Sequence, residues 1–154
     1  MNSRRRTQGG FTLIEMVCVL AIIAILAAIL LPRMPRETSR PRLEAYAVET
    51  ASLLRADRNN AVRNHVEVTT QVDAAGRVVR SGSTNRVVRV PDDVVFEALL
   101  AQRCNDRRAF STISFFASGM SCGGTIILSH AGTGYEIRVN WLTGGVELVA
   151  RAAS

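Results

Sequence analysis

The sequence predicts an α+β protein. A long apolar N-terminal helix is followed by an amphipathic helix packed on an antiparallel β-sheet or two-layer β domain. Three observations predict it. Residues 11–31 are apolar apart from Thr12 and Glu15. Between Arg42 and Asn64, the residues Leu43, Tyr46, Ala47, Thr50, Leu53, Leu54, Asp57 and Ala61 recur at three- and four-residue spacing, the period of one helix face. Near the C-terminus, β-rich stretches alternate with glycine-bearing turns.

The elements follow in chain order. Arg4, Arg5 and Arg6 make a basic leader that runs through Gly9 and Gly10 into Phe11. Residues 11–31, at about 1.5 Å per helical residue, reach about 31 Å, the thickness of a bilayer core. This segment is therefore expected to be a transmembrane helix. Ala21, Ala24 and Ala28 have the small-residue spacing that lets helices approach closely. Glu15 stands alone in it, and an ionisable group in such a segment is a functional-site hypothesis by default. Pro32, Pro35 and Pro41 interrupt helical hydrogen bonding, so 32–41 reads as a kinked stretch before the helix at Arg42–Asn64. Glu44, Glu49, Arg55, Arg58 and Arg63 fall on its other faces.

Strands are expected from there on. His65–Val72 is followed by a turn at Asp73–Gly76, a hairpin partner at Arg77–Arg80, a polar loop at Ser81–Asn85 and a short strand at Arg86–Val90. Asp92–Gln102 reads as a helix capped by Asp92 with Val95, Leu99 and Leu100 inward, or as a strand. Thr112–Ala117, Thr125–His130, Tyr135–Leu142 and Val146–Val149 form an antiparallel meander facing the amphipathic helix. Four regions result: a basic leader at 1–10, an apolar helix at 11–31, a kinked segment with the amphipathic helix at 32–64, and a β-rich domain at 65–154.

The chemistry of common enzymes is absent. His65 and His130 lack metal-ligand spacing and are read as sheet-surface residues. No nucleophile motif surrounds any serine. Gly119–Gly124 has no Gly-Lys-Ser/Thr ending and is no phosphate loop. No enzyme, metal site or cofactor is expected. The formal charge of +6 is carried by arginine alone and falls to +3 without the leader, a weak footing for a nucleic-acid surface. Cys18 is read as packing. Cys104 and Cys122 pair if their domain lies outside the cytoplasm, and are otherwise two small core residues.

A secretory signal has a shorter apolar core and a small-x-small cleavage site, and the alanines at 21, 24, 27 and 28 never stand two apart. Arginines flank the apolar helix on both sides, so charge counting leaves its orientation open. Gly10-Phe11-Thr12-Leu13-Ile14-Glu15 instead resembles the processing site of type IV pilins and type II secretion pseudopilins. The resemblance implies cleavage between Gly10 and Phe11 by a prepilin peptidase, and N-methylation of Phe11. It also implies a helix kink at Pro32, and a fibre in which Glu15 neutralises the terminal amine of a neighbouring subunit. Physical chemistry agrees: pairing removes two charges that would each be costly in a low-dielectric core.

The C-terminal end resembles the GspH/FimT family of minor pseudopilins. Ile113-Ser114-Phe115-Phe116 leads into Ser118-Gly119-Met120-Ser121-Cys122-Gly123-Gly124, and Tyr135 and Trp141-Leu142-Thr143-Gly144 follow. Ala117 and Ser118 stand where that family usually has proline and aspartate. The resemblance implies a subunit held in the bacterial inner membrane by a single helix, its C-terminal domain in the periplasm, that joins a pseudopilus driving protein export. Other pseudopilins, the prepilin peptidase/N-methyltransferase, the inner-membrane assembly platform and the lipid bilayer would be its partners, and nucleic acid would not. The alternative is a minor type IV pilin for pilus assembly or DNA uptake, with Arg77, Arg80, Arg86 and Arg89 as a phosphate-binding patch. A third reading is a membrane-tethered enzyme or binding protein.

Overall fold

The computed structural model describes residues 10, 12–30 and 37–152. Phe11 and Pro32, with the leader before Gly10, lie outside the described residues. The chain divides into two compact units, Met1–Arg36 and Glu37–Ser154.

The first unit contains one helix, α1 (Leu13–Leu30). Thr12 starts it: its carbonyl accepts the Glu15 and Met16 N–H groups at 3.1 and 3.2 Å. Leu, Ile, Val and Met side chains cover α1 on all sides, and Leu13, Ile14, Leu20 and Ile25 are exposed. A helix apolar all round needs lipid or other helices around it. At 18 residues α1 is about 27 Å long. No helix among the described residues is long and apolar enough by itself to cross a membrane; the expected span also counted Phe11, Thr12 and Leu31.

In the second unit, α2 (Arg40–Asn64) begins two residues earlier than expected, because Pro41 sits in its first turn, where its missing N–H is no loss. Leu43, Ala47, Ala51, Leu54 and Ala61 bury one face. His65 closes the helix in the left-handed region at φ 51°, its N–H bonded to the Ala61 carbonyl. It is thus a helix cap and not the sheet-surface residue expected.

Ten strands follow: β1 (Val68–Asp73), β2 (Val78–Arg80), β3 (Val87–Arg89), β4 (Val95–Leu100), β5 (Arg103–Cys104), β6 (Arg107–Arg108), β7 (Thr112–Phe115), β8 (Gly124–His130), β9 (Thr133–Val139) and β10 (Val146–Ala152). They form two four-stranded antiparallel sheets, ordered β3-β2-β1-β7 and β10-β9-β8-β4, and a separate β5-β6 hairpin. Alternation places Val68, Thr70 and Val72 of β1 inward, and does the same for Ile126 and Leu128 of β8 and Tyr135, Ile137 and Val139 of β9. These side chains and the buried face of α2 belong to one continuous core, with Ile113 and Phe115 of β7 fully enclosed.

The α+β class and the helix-on-antiparallel-sheet architecture match the expectation. The helix considered at Asp92–Gln102 does not form. Its apolar residues follow period two, with Phe96 buried while Val95 and Leu99 point outward, and the stretch pairs with β8 from Val95↔Ser129 to Leu100↔Gly124. Asp92 caps nothing and instead accepts from Arg77 at 2.8 Å.

Candidate processing and assembly site

Gly10 is exposed, and a Cβ placed on it meets no atom within 4 Å. Two residues on, Thr12 caps α1 with its hydroxyl as well, accepting the Glu15 N–H at 3.4 Å. Thr12-Leu13-Ile14-Glu15 has the Thr-x-x-Glu spacing of a capping box, a start signal that the reading of Glu15 as a membrane acid passed over. Glu15 sits in the first helical turn, where the helix dipole favours its charge. Among the described residues no donor meets its carboxylate. Cys18, read as a packing residue, is exposed on α1 and unbonded.

In the second unit the charged groups mostly serve the fold. Asp57, fully buried on α2, is the largest departure from expectation: spacing placed it on the core face, but not its role. It accepts from Thr70 Oγ1 and Ser81 Oγ at 2.6 Å each, from Ser83 Oγ at 2.5 Å, and from the Gly82 and Ser83 N–H groups at 3.0 and 3.2 Å. Burial alone pushes its carboxyl upward. The hydrogen bonds from Ser81, Ser83, Thr70 and Gly82 together outweigh that, and the group ends below the ordinary carboxylate range. The 81–84 loop is wrapped around this one side chain. Its signal in the sequence was a lone aspartate on an apolar helix stripe facing a Ser-Gly-Ser-Thr run.

A second carboxylate ties down the entry to α2. Asp93 accepts from the Thr38 N–H at 2.6 Å and from Thr38 Oγ1 at 2.9 Å. The backbone bond from Thr38 is the largest cause holding Asp93 below its ordinary value; it works against desolvation, with the Thr38 hydroxyl and His130 adding to it. His130 Nδ1 lies 2.7 Å from the Asp93 carbonyl. On the far side of α2, Arg55 donates to the Val146 carbonyl and Arg58 to the Thr143 carbonyl, each through two nitrogens.

Of the four arginines considered for phosphate binding, Arg77 is engaged by Asp92. Arg80 and Arg89 share the outer face of their sheet beside Asp73, whose carboxylate dilutes their field. Arg86 is exposed in the preceding loop. Cys104 and Cys122 are joined by a disulfide, with Cα atoms 5.6 Å apart. Among the described residues no cluster of three His, Cys, Asp or Glu side chains is placed to hold a metal.

Residues 5–31 match the prokaryotic N-terminal methylation motif. A type II secretion system protein H from Xanthomonas campestris pv. campestris is 27% identical over 143 residues, covering 92% of this chain and 83% of its own. Among solved structures, the type IV minor pilin FimU of Pseudomonas aeruginosa aligns over 76% of this chain and 96% of its own at TM-score 0.55 and 16% identity. The minor pseudopilin EpsH from the type 2 secretion system of Vibrio cholerae aligns over 70% and 95% at TM-score 0.55 and 11% identity. The chain thus joins a methylation-motif segment to a domain with the pilin-like fold.

Proposed function

We propose that this chain is a minor pseudopilin of a type II secretion system, matured by cleavage after Gly10 and N-methylation of Phe11. The observation that carries this reading is the methylation motif over residues 5–31, which takes in helix α1 with exposed apolar side chains such as Leu13, Ile14, Leu20 and Ile25. Before assembly, the segment at 11–31 holds the subunit in the inner membrane. In the fibre, the same apolar surface is buried among neighbouring subunits. Glu15, one turn from the new amino terminus and without a donor among the described residues, neutralises the terminal ammonium of an adjacent copy. The Cys104–Cys122 bond fits an oxidising compartment and so a periplasmic C-terminal domain. The relative named as a secretion protein H supports export over pilus assembly. Other pilin-like subunits, the prepilin peptidase/N-methyltransferase and the inner-membrane assembly platform are the partners this role requires, and catalysis rests with them.

Mass spectrometry of the membrane-extracted chain tests the maturation step. A mature terminus at methylated Phe11 is expected, and Gly10→Val is expected to leave the leader attached. An intact leader in the unaltered chain would falsify the proposal. The minor type IV pilin reading shares the same processing and fold. DNA retention that falls steeply with salt and with Arg80→Ala and Arg89→Ala would favour it.

A further inference from the structure

Two arginines far apart in the sequence meet at one end of the second unit. Arg40 is the first residue of α2, and Arg151 lies near the end of β10, opposite Gly134 of β9. With Gly132, Thr133 and Tyr135 of the β8–β9 hairpin they line an open depression of about 290 Å³. Both are exposed, as is Arg42 in the same turn of α2. Among the described residues the arginines in ion pairs are Arg77, Arg103 and Arg138, so Arg40, Arg42 and Arg151 have no carboxylate partner. Glu136 shares the sheet face of Arg151 but is gripped by Arg138 through two bonds, at 2.7 and 3.1 Å. Glu44 accepts from the Tyr135 hydroxyl at 3.2 Å.

The sequence places this end close behind the apolar segment. Residues 32–42 hold four arginines and one acid, Glu37. Thr38 is pinned to the β domain by Asp93. It stands seven residues after Leu31, a length of chain that reaches at most about 24 Å.

We propose that Arg40, Arg42 and Arg151 dock this end of the folded domain on anionic phospholipid headgroups, with phosphate seated between Arg40 and Arg151. Guanidinium groups suit phosphate because they bind it through two parallel hydrogen bonds, and the Thr133 hydroxyl adds a donor. The short tether selects the source of that phosphate. A bilayer holding residues 11–31 keeps headgroups within reach of this end at high effective concentration, whereas nucleic acid or a soluble anion has to arrive from solution. An open depression also suits a surface better than a small enclosed ligand. This inference rests on the membrane anchoring in the proposed function and adds to it a resting place for the domain before assembly.

Arg151 makes the test specific, because only docking of the folded domain brings so distant a residue to the lipid. The full-length chain is reconstituted in nanodiscs of phosphatidylcholine, alone or with phosphatidylglycerol. Its arginines are modified with phenylglyoxal and located by mass spectrometry. In the anionic discs Arg40 and Arg151 are expected to react about fivefold more slowly, with the difference shrinking as salt rises. Arg103, Arg107 and Arg108, outside the depression, should react alike in both discs. Arg40→Gln with Arg42→Gln should return Arg151 to its neutral-disc rate at an unchanged thermal midpoint, since neither arginine has an ionic partner in the fold. Equal reactivity of Arg151 in both discs overturns the proposal. So does the same slowing by inorganic phosphate in neutral discs, stronger slowing by a thymidine oligonucleotide, or slowing that extends to the hairpin arginines. A chain that stays with the discs while Arg151 reacts freely defeats docking alone; a chain that leaves them defeats the anchoring as well.

Discussion

Asp57 shows how one residue organises a region. Five donors converge on its two oxygens, so removing the charge strands several of them in a buried space. Asp57→Asn keeps the shape but puts an amide N–H₂ where hydroxyl and backbone donors point. It is expected to cost about 2 kcal/mol in urea unfolding, within the range for a buried polar group left unpaired. The pH dependence follows from linkage. The folded carboxyl titrates below its unfolded value, so its contribution is fully present above about pH 4 and is lost as pH falls through the depressed folded value. The unaltered chain should therefore lose stability below about pH 4, and the Asn variant should show a shallower acid limb. Gly82 gives a second residue-scale outcome. A Cβ there would collide with the Thr69 backbone, so Gly82→Ala should destabilise the loop although no turn conformation forbids it. A lowered thermal midpoint checks it.

Among the elements, the disulfide-pinned hairpin and the helices obey different rules. Helix α2 was legible in the sequence because its buried face repeats every three to four residues over a long stretch. The C-terminal strands were legible because glycine-bearing turns punctuate alternating apolar residues. The hairpin at Arg103–Arg108 was not: two-residue strands carrying arginine have no alternation to read, and their order comes from a covalent bond. Strand β4 was ambiguous for a related reason. As an edge strand it leaves Val95 and Leu99 exposed, so its apolar residues are too many for a clean alternation. In the assembly segment, Gly10 and Glu15 stood out by residue type, while the Thr12 cap was masked by the apolar run around it. Cys104→Ser with Cys122→Ser frees an eighteen-residue separation and should cost about 3 kcal/mol on a loop-closure estimate. The loss should localise. Hydrogen exchange ought to rise across 103–122, while β8 and β9, paired along their whole length, keep their protection.

At the scale of the whole molecule, the chain carries a pilin-like α+β domain with a continuous core of its own and, in a separate unit, a helix that is apolar all round. Under the proposed function the two units divide the labour of a fibre subunit: the second holds its own core, and the apolar helix is completed by neighbouring subunits. Under the proposed function, the charge at Glu15 separates specific assembly from mere insertion. In a lipid or helical environment an unpaired carboxylate is costly, so a neighbour's terminal ammonium is worth more there than at a surface. In the proposed maturation cleavage creates that ammonium, and the two events should therefore be separable by substitution. Glu15→Ala is expected to be processed normally, since the scissile peptide after the open Gly10 is unchanged, yet to co-purify with other pilin-like subunits several-fold less. Glu15→Gln should behave alike, because it keeps the shape and the helix start but not the charge. Crosslinking and affinity capture from membranes expressing each variant measure this. Undiminished capture of both variants would show that apolar burial alone drives assembly and that the acid serves only to start the helix.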